Sequence, residues 1–268
     1  MKRKGRLFAA ALAFLAAMTC VGIPCFRAAG PAAAPREHFP KLPEGQRFKL
    51  VWSDEFDGDK LDESKWDVPE GVRRDGWWRR DAISLDGKGR LLMTTFKDGD
   101  KYIDGCVRTR EKFEHTFGYY VVRAKLHGQE GHWPAFWLYN GSVGNIGNGG
   151  TDGAEIDIFE KPTRDYFVNH AIHWDGYGEF HKQSSTQSIF TSVMRGFHTF
   201  ALLWTEKEYV FYVDGKEAWR TDAGGPCRVP LYIKLSDEIG KWAGDISKAR
   251  LPDVFTVDYV RVYDIVNE

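Results

Sequence analysis

Beyond its first thirty residues this chain has no apolar run long enough to cross a bilayer, no helical period sustained over three turns and no internal repeat. Those absences argue against a membrane span, a helical bundle and a solenoid. Neither sign of charge dominates: the formal net charge is −1, which argues against nucleic acid or an anionic membrane as a partner. Cysteine is scarce. Cys20 and Cys25 fall in the leading segment, which leaves Cys106 and Cys227 in strand-like surroundings, where a disulfide and two buried thiols are both open.

What is present begins with a signal. Met1 to Arg6 is basic and Leu7 to Met18 carries no charge, the pattern of a secretory leader, too short for a spanning helix. The expected organisation is a signal peptide over 1–30, a Pro- and charge-rich linker over 31–46 and one domain over 47–268. A secreted or periplasmic location follows. Cys20 after Ala17-Met18-Thr19 is a poor lipoprotein site, so a lipid anchor is the minor alternative, and a monomer is expected.

From Phe48 onward short apolar runs alternate with turn residues, the signature of an all-β sandwich or barrel. Tyr120, Val122 and Ala124 alternate with Val121, Arg123 and Lys125, a half-buried pattern. Asp214-Gly215 between two such runs predicts a two-residue hairpin turn. Asn140 to Asp152 holds five glycines in thirteen residues and reads either as a plain surface loop or as a substrate gate.

That loop leads into Gly153-Ala-Glu-Ile-Asp-Ile-Phe-Glu160, where three acids stand among residues suited to a buried strand. Alternation puts Glu155 and Asp157 on one face and Ile156 and Ile158 on the other. Continued strictly, it would send Glu160 into the apolar side, where an unpaired carboxylate is costly. A β-bulge at Ile158 or Phe159 is therefore predicted, returning Glu160 to the face of its companions. Two carboxyl groups about 5–5.5 Å apart can hydrolyse a glycoside with retention, one as nucleophile and one as acid and base. The rival readings are a wet sheet face and a hard-cation site, the latter wanting more oxygens than three side chains supply.

Upstream, Trp133 and Trp137 in Gly131-His-Trp-Pro-Ala-Phe-Trp-Leu138 can offer flat faces to a pyranose, or be core. With Gly153 to Glu160 they carry a resemblance. The acidic stretch resembles the E-[ILV]-D-x-x-E signature of glycoside hydrolase family sixteen, and His132 to Leu138 its W-P-A-x-W strand. Val51 to Phe56, Phe197 to Gly215 and Val257 to Tyr263 are similar to its opening, middle and closing blocks, in order along most of the chain.

This resemblance implies a concanavalin-like β-jelly roll with an open concave cleft for a polysaccharide. It implies Glu155 as nucleophile, Glu160 as acid/base and Asp157 as their assistant, with Trp133, Trp137, His173, Trp242 and Trp77 at the substrate. It also implies a structural calcium at Asp258, and no cofactor for catalysis. The expected activity is endo-hydrolysis of a β-1,3- or mixed-linkage glucan. An agar- or porphyran-type galactan is the alternative, for which Arg73, Arg74, Arg79 and Arg80 are candidate anion ligands. A non-catalytic carbohydrate-binding protein on the same fold is the second. The stretch Asp175 to Lys182 matches no specificity pattern.

Overall fold

In chain order the strands are β1 (Gln46–Asp54), β2 (Gly71–Arg73), β3 (Gly76–Trp78), β4 (Ile83–Leu85), β5 (Leu91–Asp98), β6 (Lys101–Asp104), β7 (Cys106–Arg108), β8 (Glu114–His115) and β9 (Gly118–Lys125). They continue as β10 (Ala135–Tyr139), β11 (Glu155–Glu160), β12 (Phe167–Trp174), β13 (Lys182–Ile189), β14 (His198–Trp204), β15 (Tyr209–Val213), β16 (Lys216–Thr221), β17 (Leu231–Ser236) and β18 (Asp253–Asn267). The computed structural model describes residues 38–162, 166–193 and 195–268, so the expected signal peptide (1–30) and residues 31–37 of the expected linker lie outside it. Among the described residues the helical turns are short 3-10 pieces, and no helix is long and apolar enough to cross a membrane.

Two sheets make a β-jelly-roll sandwich. One runs β16-β15-β14-β9-β18-β5-β6-β3-β2, with β1 on β18 and β4 on β5; the other runs β13-β12-β11-β10-β17-β7, with β8 on β17. Between them lies a core that includes Ile156, Phe159, Ile172, Phe200, Trp204, Phe211, Ile233 and Val260, all fully buried. Each such side chain contributes about 1.5–3 kcal/mol by leaving water. The predicted hairpin closes at Asp214 (φ 49°) and Gly215 (φ 72°), the paired left-handed residues of a turn whose twist matches its strands.

The half-buried pattern predicted for β9 is covered on both faces. Tyr119 and Val121, on the side away from the core, are buried with Ala201, Tyr212, Tyr259 and Tyr263 in a second cluster. Phe39 lies over that cluster, stacked on Phe48 at 4.7 Å and edge-on to Tyr263 at 4.9 Å. Alternation in β9 does not carry that information, because the cover comes from a segment remote in sequence. Cys106 and Cys227 are both free and buried, which resolves the open pairing as two thiols.

Candidate active site

The acidic strand β11 is central in its sheet, paired with β10 on one side and β12 on the other. Its register slips as predicted. Trp137 faces Asp157 and Phe136 faces Phe159, leaving Ile158 unpaired; on the other side Asp157 faces Ala171 and Glu160 faces Asn169. The extra residue lets Ile156, Ile158 and Phe159 all enter the core while Glu155, Asp157 and Glu160 line one hollow.

The three acids have different surroundings. Tyr177 Oη donates to Glu155 Oε2 at 2.5 Å. Asp157, 4% exposed, meets His173 Nε2 at 3.2 Å, and burial followed by the Glu155 charge pushes its pKa well above the ordinary range. Glu160 accepts from Trp133 Nε1 at 3.0 Å and from Asn169 Nδ2 at 2.8 Å. Those two donors pull its pKa down, but burial and the neighbouring Asp157 outweigh them and raise it well above a normal carboxyl. One face thus sets Glu160 and Asp157, both with raised pKa, beside Glu155, an arrangement open to acid and nucleophile chemistry.

His173 also reaches His181 Nε2 through Nδ1 at 3.0 Å, so Asp157, His173 and His181 form a chain. Trp242, 40% exposed, stands edge-on to Trp133 at 4.6 Å and with it lines a cavity of about 390 Å³ that also holds Glu155, Glu160 and Tyr177. Trp137 donates its Nε1 to Ser236 Oγ at 3.0 Å beneath the same acids. Trp133, Trp137, His173 and Trp242 are therefore brought together with the three carboxyls.

Trp77 is not. Lys101 Nζ lies 4.0 Å over its ring, while the adjacent Trp78 turns toward the cleft side, its Nε1 on Asp237 O at 2.9 Å. Strand alternation sends neighbouring indoles to opposite faces, and Trp77 stands outside the group that lines the hollow with the acids. The four arginines separate in the same way. Arg73 and Arg74 meet Glu238 at the hollow, whereas Arg79 pairs with Asp81 and Asp98, and Arg80 with Glu63.

Asp258 does not fit the expected calcium. Its carboxylate contacts Arg123 Nη1 at 2.5 Å, and Arg90 Nε stands 3.8 Å away. Two guanidinium groups satisfy that charge and repel a divalent cation. Among the described residues two other groups offer three ligand atoms within 4.8 Å of one another: Glu155, Asp157 and His173, and His127, His132 and Asp253. In the second group the imidazoles are stacked at 3.8 Å with planes 11° apart, so no single ion can lie along both in-plane lone pairs. The cluster is an ionic cage. Asp237 Oδ2 lies 2.8 Å from His127 Nε2 and 3.3 Å from His132 Nδ1, and Asp237 Oδ1 accepts from Trp133 N at 3.1 Å.

Sequence reasoning passed over Tyr177, His181, Asn169, Ser236 and Glu238. Asn169 was within reach, since parity from His173 through Ala171 puts it on the same face of β12. Tyr177 and His181 come from the unassigned stretch Asp175 to Lys182, and no periodicity marks them.

Residues 73–261 match the family described as Glycosyl hydrolases family 16. The chain is 30% identical over 237 residues to the keratan-sulfate endo-1,4-beta-galactosidase of Sphingobacterium multivorum, covering 81% of this chain and 56% of that enzyme. It is 31% identical over 170 residues to the endo-1,3-1,4-beta-glycanase EglC of Rhizobium meliloti, covering 63% of this chain and 35% of the relative. The chain thus spans about half or less of the length of these curated relatives. Among solved structures, a laminarinase from Flavobacterium sp. UMI-01 superposes with a TM-score of 0.70 at 27% identity, covering 81% of this chain and 100% of that one.

Proposed function

Because the chain belongs to glycosyl hydrolases family 16, we propose that it is an endo-acting, retaining hydrolase of a β-linked polysaccharide, with its chemistry at Glu155 and Glu160. The observation that carries the reading is the pair of environments across the bulge: Glu160 half-buried with its pKa raised, Glu155 hydrogen-bonded to Tyr177. In the first step the Glu155 carboxylate attacks the anomeric carbon as Glu160 gives its proton to the departing glycosidic oxygen. In the second, Glu160 takes a proton from water, the water oxygen attacks the same carbon, and Glu155 leaves as carboxylate. Asp157, tied to His173, stands between them and adjusts which acid holds the proton. Trp133 and Asn169 orient Glu160.

The first polymer is a β-1,3- or mixed-linkage glucan. A galactan of agar or porphyran type is the second reading, favoured by Arg73 and Arg74 at the hollow. Export through the leader and a monomeric state complete the proposal, and sequencing the N-terminus of protein recovered outside the cell checks the leader.

The test is reducing-end release from a panel of glucans and galactans by the wild type, Glu155→Gln and Glu160→Gln. The expected result is turnover on one polymer, lost by about a thousandfold in either variant, with the anomeric configuration retained in the product. Near-wild-type turnover in either variant, or inversion by NMR, overturns the mechanism. Well-folded protein that binds a polysaccharide but cleaves none supports a lectin-like protein instead.

A further inference from the structure

Both indoles that the sequence offers as sugar platforms carry a cation over the ring. The Arg74 guanidinium lies 4.2 Å from the centre of Trp133, and Lys234 Nζ lies 3.6 Å from the centre of Trp137. A neutral pyranose stacks best on an uncovered aromatic face, and these faces are occupied by charge. Trp78 extends the arrangement, with Arg73 at 5.2 Å and Lys234 at 5.3 Å from its ring.

Lys234 is the anomaly in this group. It is central in its sheet, on β17 between β10 and β7, and only 7% exposed. Among the described residues its ammonium has no hydrogen-bond or ion-pair partner, only the rings of Trp137, Trp78 and Tyr139. Its Nζ is not sealed from solvent, so an anion entering from the cleft can reach it. Parity with Ser236 on β17 aims it to the face that holds the acids. Arg73 and Arg74 reach the same wall from β2 and the turn after it, and both use Nε on the one carboxylate of Glu238. Two guanidinium groups share that carboxylate, and Glu155, Asp157 and Glu160 line the same hollow. The guanidinium Nη nitrogens remain for a ligand with several acceptor oxygens.

We propose that Arg73, Arg74 and Lys234 form a subsite for an anionic substituent, a sulfate ester or a carboxylate, on a sugar bound beside the acids. This rests on the hydrolase reading of the same cleft, and it favours a charged glycan, as in the galactan reading, over the neutral glucan placed first. A charged group placed there completes the ion pairing that Lys234 lacks. The same sugar without the charge forms no such pair, so the preference arises from the attraction.

The experiment uses the Glu155→Gln chain for binding and the wild type for turnover, each with keratan sulfate, the same polymer after desulfation, hyaluronan and laminarin. The subsite predicts at least tenfold tighter calorimetric binding of one charged polymer than of desulfated keratan and laminarin, weakening as salt rises. Preference for keratan sulfate identifies a sulfate, and preference for hyaluronan a carboxylate. Lys234→Met and Arg74→Gln, each added singly, should lower that ratio by roughly tenfold. Lys234→Met replaces a buried charge with an apolar chain of similar length, and its melting temperature reports whether the fold is kept.

Equal affinity for sulfated and desulfated keratan with no gain on hyaluronan, or no binding to either charged polymer, overturns the subsite. So does a uniform loss on every polymer in both variants, which means that the cations act on the acids alone. The two readings fail separately: anionic preference without cleavage of any polymer removes the hydrolase, and laminarin cleavage without anionic preference removes the subsite.

Discussion

Trp133 Nε1 donates to Glu160 Oε1 across 3.0 Å, so an indole that the sequence offers as a platform for sugar also tempers the raised pKa of the acid beside it. The main-chain N of the same tryptophan donates to Asp237 Oδ1 at 3.1 Å, which ties the indole to the buried His127–His132 cage. Glu160, the indole and the cage are thus joined by consecutive hydrogen bonds.

Trp133→Phe removes a donor that holds the Glu160 pKa down, leaving burial and Asp157 to push it higher. In the proposed mechanism Glu160 works as an acid while protonated, so the alkaline limb of kcat/KM should move to higher pH. The rate falls about threefold to tenfold as the hydrogen bond that orients Glu160 is lost. A pH profile on the preferred polymer checks both, and a limb that moves to lower pH contradicts the role given to Glu160.

Asp157 is raised above its unfolded pKa by burial and by Glu155, so the folded chain keeps a proton that the unfolded chain releases. Stability is then fully present below the ordinary carboxylate range and falls as pH rises toward the folded pKa. Asp157→Asn cannot ionise and should melt higher than wild type at pH 8, by roughly 2–4 °C for each kcal/mol removed, while losing activity. Thermal melts at pH 4 and pH 8 decide it: a variant less stable than wild type at both shows that the aspartate is needed for packing.

Burial alone would lower the His127 pKa, but Asp237 and Asp253 prevail and push it up to about 9. The group is raised above its unfolded value of 6.5, so its contribution is whole below about pH 6.5 and lost as pH rises through about 9. The wild type should lose melting temperature between pH 6.5 and 9.5, and His127→Gln, already less stable, should lose less. Equal slopes for the two proteins place the proton elsewhere.

The carboxylate of Asp258 is held by Arg123, so a chelator should leave the melting temperature unchanged within about a degree. Arg123→Gln should lower it by the few degrees that correspond to about 1–2 kcal/mol for a half-buried charged pair. A large fall on chelation of the wild type restores calcium to this strand.

Much of the fold was legible because its signals are local. Alternating apolar residues, the Asp214-Gly215 turn and the acid run with its required bulge are all decided within a few positions of the chain. Asn169 follows from parity once His173 is placed. Trp77 marks the reach of that parity, because alternation puts two adjacent indoles on opposite faces without saying which of them meets a ligand.

The order of residues along β11 was enough to determine that three acids share a face, since a buried carboxylate costs more than a bulge. It did not determine what each acid touches. Tyr177 lies 22 positions from Glu155, and Glu238 lies 165 and 164 positions from Arg73 and Arg74. Only folding brings such groups within 3 Å, and at that range burial and the nearest charge decide which acid keeps its proton and which cation is left without a partner.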